Sequence, residues 1–278
     1  MKKTIITLVA ITSVISTVLA QKEVQYTKLY YQDTKAENED ITITVDNAVS
    51  TEGETKLKLK IANKTNDYII YKPEESKFII NGKEAKPKEK WLIISPNESD
   101  FRIVNLKGAQ YNKVKNYSFV VGGLYKVVLN TKGVAAPDFK LPPSQNDFSA
   151  GSFNCSLKKL SKETDKTEAK FSCAYKGDKI GFVFPSKAGV KMPDGNEYAS
   201  KVSSGLLSKS GPIILMKGEE DSFTLSWDRM QGGKSMDMQK VEMNVKWNDT
   251  FIEGTTQKMK SETVQLEFDE ATSNAKGK

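Results

Sequence analysis

Lys56-Leu57-Lys58-Leu59-Lys60-Ile61 alternates charge and hydrocarbon at every step. Successive side chains of a β-strand point to opposite faces, so this run predicts a strand with one wet and one buried face. The same period recurs along the chain. Phe223, Leu225 and Trp227 alternate with Thr224 and Ser226. Val241, Met243, Val245 and Trp247 alternate with Glu242, Asn244 and Lys246. Val264, Leu266 and Phe268 alternate with Gln265 and Glu267. Turn pairs punctuate these runs: Asn81-Gly82, Gly122-Gly123, Asp194-Gly195, Gly232-Gly233 and Asn248-Asp249. Helical periodicity is nearly absent. The expected fold class is all-β, built from short antiparallel strands.

Residues 131–147 break the alternation and contain Pro137, Pro142 and Pro143, which cannot donate to a ladder. They read as a Pro-rich linker between a first β-sandwich over 41–130 and a second over 148–270. Residues 21–40 form an N-terminal segment able to add a strand. The small, polar tail 271–278 is expected to be disordered. The halves parallel one another. Lys58 to Asp67 matches Lys170 to Asp178, Asn81 to Ala85 matches Asp194 to Ala199, and Asn97 to Phe101 matches Gly218 to Phe223. Each half closes on an expected hairpin: Tyr117–Val121 with Leu124–Leu129, and Val241–Trp247 with Val264–Phe268.

This tandem repeat places Cys155 and Cys173 where Ile43 and Ile61 stand in the first half. Each residue lies on the inward face of an alternating strand. The polar stretches around Glu52 and Thr164 supply the intervening turns. Cys155–Cys173 is therefore expected to be a buried cross-strand disulfide, replacing an Ile43–Ile61 contact.

Residues 1–20 have the three parts of an export signal: Lys2-Lys3, an apolar stretch from Ile5 to Leu19, and the small-residue end Val18-Leu19-Ala20. The rest of the chain is expected to act outside the cytoplasm, in the periplasm or beyond the cell, with no transmembrane span. Without Lys2 and Lys3 the formal charge falls from +7 to +5. The positive charge is almost all Lys, and it is mixed with acids along the chain. That argues against nucleic acid, for which planar Arg forks are better suited.

Composition excludes several chemistries. The chain has no His and two Cys, so it holds no Ser-His-Asp triad, Cys-His pair or Cys/His zinc site. Ser156-Leu-Lys-Lys159 has the Ser-x-x-Lys spacing on an expected strand, without its partner motifs. The acids at 37–40, 219–221 and 267–270 read as solvated. Asn97-Glu-Ser-Asp100 and Asp194-Gly-Asn-Glu197 offer oxygens but match no twelve-residue calcium loop. No metal or cofactor is expected. Five Asn-x-Ser/Thr sequons, at Asn63, Asn97, Asn116, Asn154 and Asn248, are set aside because the Lys-rich composition suggests a bacterial source. Trp227 and Trp247 fall in phase with core residues. Trp91, after Lys86-Pro-Lys-Glu-Lys90, is the candidate for ligand contact, along with Tyr26, Tyr30 and Tyr31.

The two alternating halves, with an Asn/Asp-Gly turn and then an acidic turn before a late Phe-containing strand, resemble the Ig-like β-sandwich domains of bacterial exported proteins. The antibody fingerprint is missing: no Trp lies between the cysteines. The resemblance implies a binding module and not an enzyme. The expectation is an adaptor engaging a protein partner of the cell envelope through sandwich surfaces or edges. The alternative is a carbohydrate-binding module using exposed aromatics on a polysaccharide.

Overall fold

The computed structural model describes residues 25–193, 195–202, 211–229 and 237–278. The expected signal, residues 1–20, lies outside them, as does Asp194 of one acidic loop. The first half contains β1 (Leu29–Tyr30), β2 (Thr34–Glu37), β3 (Ile41–Ser50), β4 (Glu54–Asn63), β5 (Tyr68–Tyr71), β6 (Lys77–Ile80), β7 (Lys83–Ala85), β8 (Leu92–Ile94), β9 (Ser99–Lys107), β10 (Asn116–Val121) and β11 (Leu124–Leu129). Then follow β12 (Phe139–Leu141), β13 (Asp147–Ala150), β14 (Phe153–Lys162), β15 (Lys166–Tyr175), β16 (Ile180–Val183), β17 (Gly189–Lys191), β18 (Glu197–Ala199) and β19 (Lys201–Val202). The chain ends with β20 (Ile213–Leu215), β21 (Glu220–Asp228), β22 (Met243–Lys246), β23 (Phe251–Lys258), β24 (Glu262–Glu267) and helix α1 (Glu270–Lys276). The protein is all-β apart from this one short helix among the described residues.

The sheets repeat. In the first half β3, β4 and β9 lie side by side with β2 against β3, and in the second β13-β14-β15-β21 follow the same order. The second layer is β24-β10-β6-β7 in one half and β12-β22-β17-β18 in the other. A six-stranded sheet, β20-β16-β23-β11-β5-β8, runs through both halves. At its centre β11 and β23 pair antiparallel. The pair Val128↔Thr255 maps onto itself when the halves are exchanged, and Leu129↔Gly254 becomes Thr256↔Val127, so the repeats are related by a local twofold.

The repeat register places Ile43 opposite Ile61 and Cys155 opposite Cys173. The cysteines form a disulfide with their α-carbons 4.0 Å apart, and both are buried. Large apolar residues fill two main cores, one around Ile43, Leu59, Phe78 and Phe119, the other around Phe153, Phe171, Trp247 and Phe251, and a smaller third cluster around Ile70, Val127 and Phe182 lies on the central sheet.

Four sequence expectations need correction. First, Val264–Phe268 does not pair with Val241–Trp247. It crosses to the first half, where Val264 faces Phe119 and Leu266 faces Tyr117. Second, the stretch read as a linker contains β12, whose Phe139 and Leu141 are buried and pair with Val245 and Met243. The two corrections share a cause. The β11–β23 pairing carries both chains across the molecule, and each emerging strand then fills the open edge of the other half.

Third, β10 and β11 do not form a hairpin. Gly122-Gly123 passes the chain from one sheet to the next beneath the 3-10 turn Pro73–Glu75. Gly123 has φ 68°, and a Cβ on either glycine would collide with the backbone of that turn. Fourth, the tail is ordered. Asp269 caps α1 by accepting from the Thr272 amide at 2.9 Å, and Ser273, fully buried, accepts from the Tyr30 amide at 2.9 Å. Its small, polar composition is what allows it to pack beneath β1.

Glu253 on β23 ties the central sheet to the second half. It accepts from Ser152 at 3.0 Å and Tyr175 at 3.1 Å, and pairs with Lys179 at 3.2 Å. Partial burial works to raise its pKa, but these donors outweigh it and hold the carboxyl below the ordinary value of 4.5. A depressed folded pKa means stability that is whole above the unfolded value and lost as pH falls through the folded one. Glu253→Gln is therefore expected to flatten the part of the stability profile below pH 4.5, as measured by denaturant midpoints across the acid range.

Candidate functional site

Strand β9 departs from its own repeat. Structural equivalence sets Phe101-Arg102-Ile103 against Ser222-Phe223-Thr224 of β21. Phe101 pairs with Lys60, Arg102 with Leu59 and Ile103 with Lys58; Ser222 pairs with Ser172, Phe223 with Phe171 and Thr224 with Lys170. In the second half the apolar residue points inward, and Phe223 is buried. In the first half the order is inverted. Phe101 and Ile103 stand on the outer face, 51% and 46% exposed, while Arg102 points inward.

Sequence parallels had matched Phe101 with Phe223. A slip of one residue moves a strand's side chains to the opposite face, which is why this pair was missed. The available signal was the run Phe101-Arg102-Ile103-Val104, which cannot put all its apolar residues on one side.

Lysines surround the exposed pair. Lys56, Lys58 and Lys60 stand on β4 opposite Asn105, Ile103 and Phe101. The Lys58 ammonium lies 5.1 Å from the centre of the Phe101 ring and 3.5 Å from Asp46. The equivalent second-half positions are Glu168, Lys170 and Ser172. The first face is therefore both more apolar and more cationic than its repeat.

Trp91 lies beside this strand, 36% exposed. Its carbonyl accepts from Arg102 at 2.7 Å, and its indole donates to Glu74 at 2.7 Å. The Lys72 ammonium sits 4.1 Å from the Trp91 ring centre and 4.7 Å from that of Tyr125, a cation held between two aromatic rings. Tyr125 donates to Glu75, which also pairs with Lys258 at 2.9 Å. Burial acts to raise the Glu75 pKa, but the hydrogen bonds from Lys258 and Tyr125 hold it low.

The other candidates separate. Tyr31 is buried, donating to the Val114 carbonyl at 2.6 Å, and burial pushes its pKa up to about 12. Tyr26 packs edge-on against Phe268 and bonds Asn274, while Tyr30 is partly buried against the helix. These tyrosines form no platform with Trp91. Ser156 and Lys159 flank a register shift in β14 and lie at no helix start. Asn63, in the first sequon, is buried and donates to the carbonyls of Asp67 and Ser95. Among the described residues no three His, Cys, Asp or Glu cluster as a metal site would require, and no helix is long and apolar enough to cross a membrane.

No protein-family model matches the chain, and no curated protein matches it. Among solved structures, AerE from Microcystis aeruginosa is similar at 10% identity, over 82% of this chain and 99% of that one, with a TM-score of 0.11. A conserved protein of unknown function from Pseudomonas aeruginosa PAO1 is similar at 8% identity, over 87% and 97%, with a TM-score of 0.13. Similarity this low carries no argument about the fold or the function.

Proposed function

We propose that this is an exported, non-enzymatic binding protein of the cell envelope, an adaptor that engages an acidic protein partner through the outer face of β4 and β9. The observation that carries this reading is the inverted triplet Phe101-Arg102-Ile103. An exposed Phe and Ile cost solubility, and the protein's own second half does without them, using Ser222 and Thr224 at the same places. Both are already about half buried, so covering them with a partner gains roughly 0.8–1.5 kcal/mol for each one. The row Lys56, Lys58, Lys60 favours an acidic surface, with a contribution to encounter rate that falls with salt. A polysaccharide has less support, because one face of Trp91 and its indole nitrogen are engaged within the chain.

The test is crosslinking and capture from the native cell with tagged protein, comparing wild type with Phe101→Ser/Ile103→Thr, which installs the second half's residues. A single stoichiometric partner recovered by wild type and reduced about tenfold or more by the variant is the expected result, since tenfold corresponds to 1.4 kcal/mol. Equal recovery by both proteins would remove this face from consideration. Binding of wild type to anionic lipid vesicles, lost in the variant, would replace the protein partner with a membrane.

A further inference from the structure

The outer edge of β9 makes a more specific inference possible, which rests on the reading just given. Asn105 donates its amide to the Glu89 carboxylate at 2.9 Å, on the side away from β4. Backbone groups alternate direction along a strand, so those of Phe101 and Ile103 point to the same side as those of Asn105. The Phe101 amide is capped by its neighbour Asp100 at 2.8 Å, and Ser222 is capped in the same way by Asp221 at 2.6 Å.

Beyond that shared cap the two edges differ. The edge of β21 is filled by an antiparallel strand of the chain itself: β19 pairs Lys201 with Ser226 and Val202 with Leu225. At the equivalent place on β9 the chain sends the segment 86–91, which forms no ladder. It includes Pro87 and touches the edge through the Glu89 side chain and the Trp91 carbonyl. The contact is incomplete. Glu89 Oε2 and Arg102 Nε are both buried without a hydrogen-bond partner. Orphaned polar atoms of this kind weaken the contact that buries them.

We infer that the edge of β9 is a strand-addition site, and that segment 86–91 is a strap which a partner's extended, acidic segment displaces. The fold itself shows that this edge geometry accepts an antiparallel strand, because β19 is one. An incoming strand would bond the backbone of Ile103 and Asn105 and place alternate side chains beside Phe101 and Ile103. Its apolar side chains would lie on the face of Phe101 and Ile103, and its carboxylates, on the opposite face, would meet Arg102.

The test uses a fluorescent synthetic peptide alternating Glu and Ile, its Lys-for-Glu counterpart, and the chain from Gln21 to Lys278. Anisotropy gives affinity, and amide exchange locates the contact. The Glu peptide should bind and protect the amides of Ile103 and Asn105. Glu89→Ala, which frees the strap, should tighten binding about tenfold. Asn105→Pro removes an outward donor without touching the β4 ladder, and should abolish binding while lowering the melting temperature no more than Glu89→Ala, which loses the same hydrogen bond.

If Asn105→Pro binds normally while Phe101→Ser/Ile103→Thr does not, the edge inference fails and the face reading stands. The reverse result rejects the face and keeps the edge. Normal binding by both variants rejects both. Failure of the Glu peptide to bind even Glu89→Ala, or equal binding of the Lys peptide, overturns the inference. Dimerisation of Glu89→Ala in place of peptide binding assigns the edge to a second copy.

Discussion

Deleting residues 259–278 is expected to unfold the first half of the molecule, although every residue from 25 to 130 remains. The reason is the strand exchange. β24 lines β10 over six residue pairs and buries Val264 and Leu266 in the first core. α1 then closes over β1, with Thr27 donating to the Gly277 carbonyl at 2.7 Å. Losing two buried aliphatic side chains costs about 3–6 kcal/mol at roughly 1.5–3 each, and the opened edge of β10 adds to that. Whole domains are stable by only about 5–15 kcal/mol. Amide exchange should show β3, β4 and β10 unprotected in the truncated chain, and a synthetic 259–278 peptide added in trans should restore protection. Two independent sandwiches would have left the first half intact, so full protection without the peptide would reject the exchanged topology.

Removing the disulfide should have the next largest effect, and it should fall on the other half. Cys155 and Cys173 are 18 residues apart in sequence, and closing a loop of that size stabilises by about 3 kcal/mol in the chain-entropy model. Reduction, or Cys155→Ala with Cys173→Ala, is expected to lower the melting temperature by about 6–12 °C for a chain of this size. Exchange should accelerate first in β14 and β15. The first half holds Ile43 against Ile61 at the same place and should respond only through the shared central sheet. A melting curve indifferent to reductant would show that the bridge contributes nothing to the native state.

Much of the architecture can be read from single residues. Lys56 to Ile61 forms β4 with its leucines buried and its lysines outward, because local alternation and core burial agree there. The spacing of the cysteines matched that of two isoleucines, which was enough to reach the pairing register of both halves. Where local signals conflict, the reading fails. In Phe101-Arg102-Ile103-Val104 the strand faces cannot all be satisfied. Pairing with β4 buries Val104 and leaves Phe101 and Ile103 outside. Such conflicts are expected to concentrate at functional sites. Trp91 was singled out from sequence, but its neighbours Lys72, Glu74, Arg102 and Tyr125 come from three separate parts of the chain.

The amino-acid sequence by itself determined the all-β class, the repeat, the register of the cysteine pair and the chemistries that are absent. Those depend on composition and on a two-residue period, both of which are local. Only the tertiary structure decided that β12 and β24 change places, that the tail is held, and that β9 turns its aromatic residue to solvent. Each of these is a choice between edges or faces of similar local preference; the exchange and the tail are settled by contacts between residues more than a hundred positions apart, and the face of β9 by its register with β4.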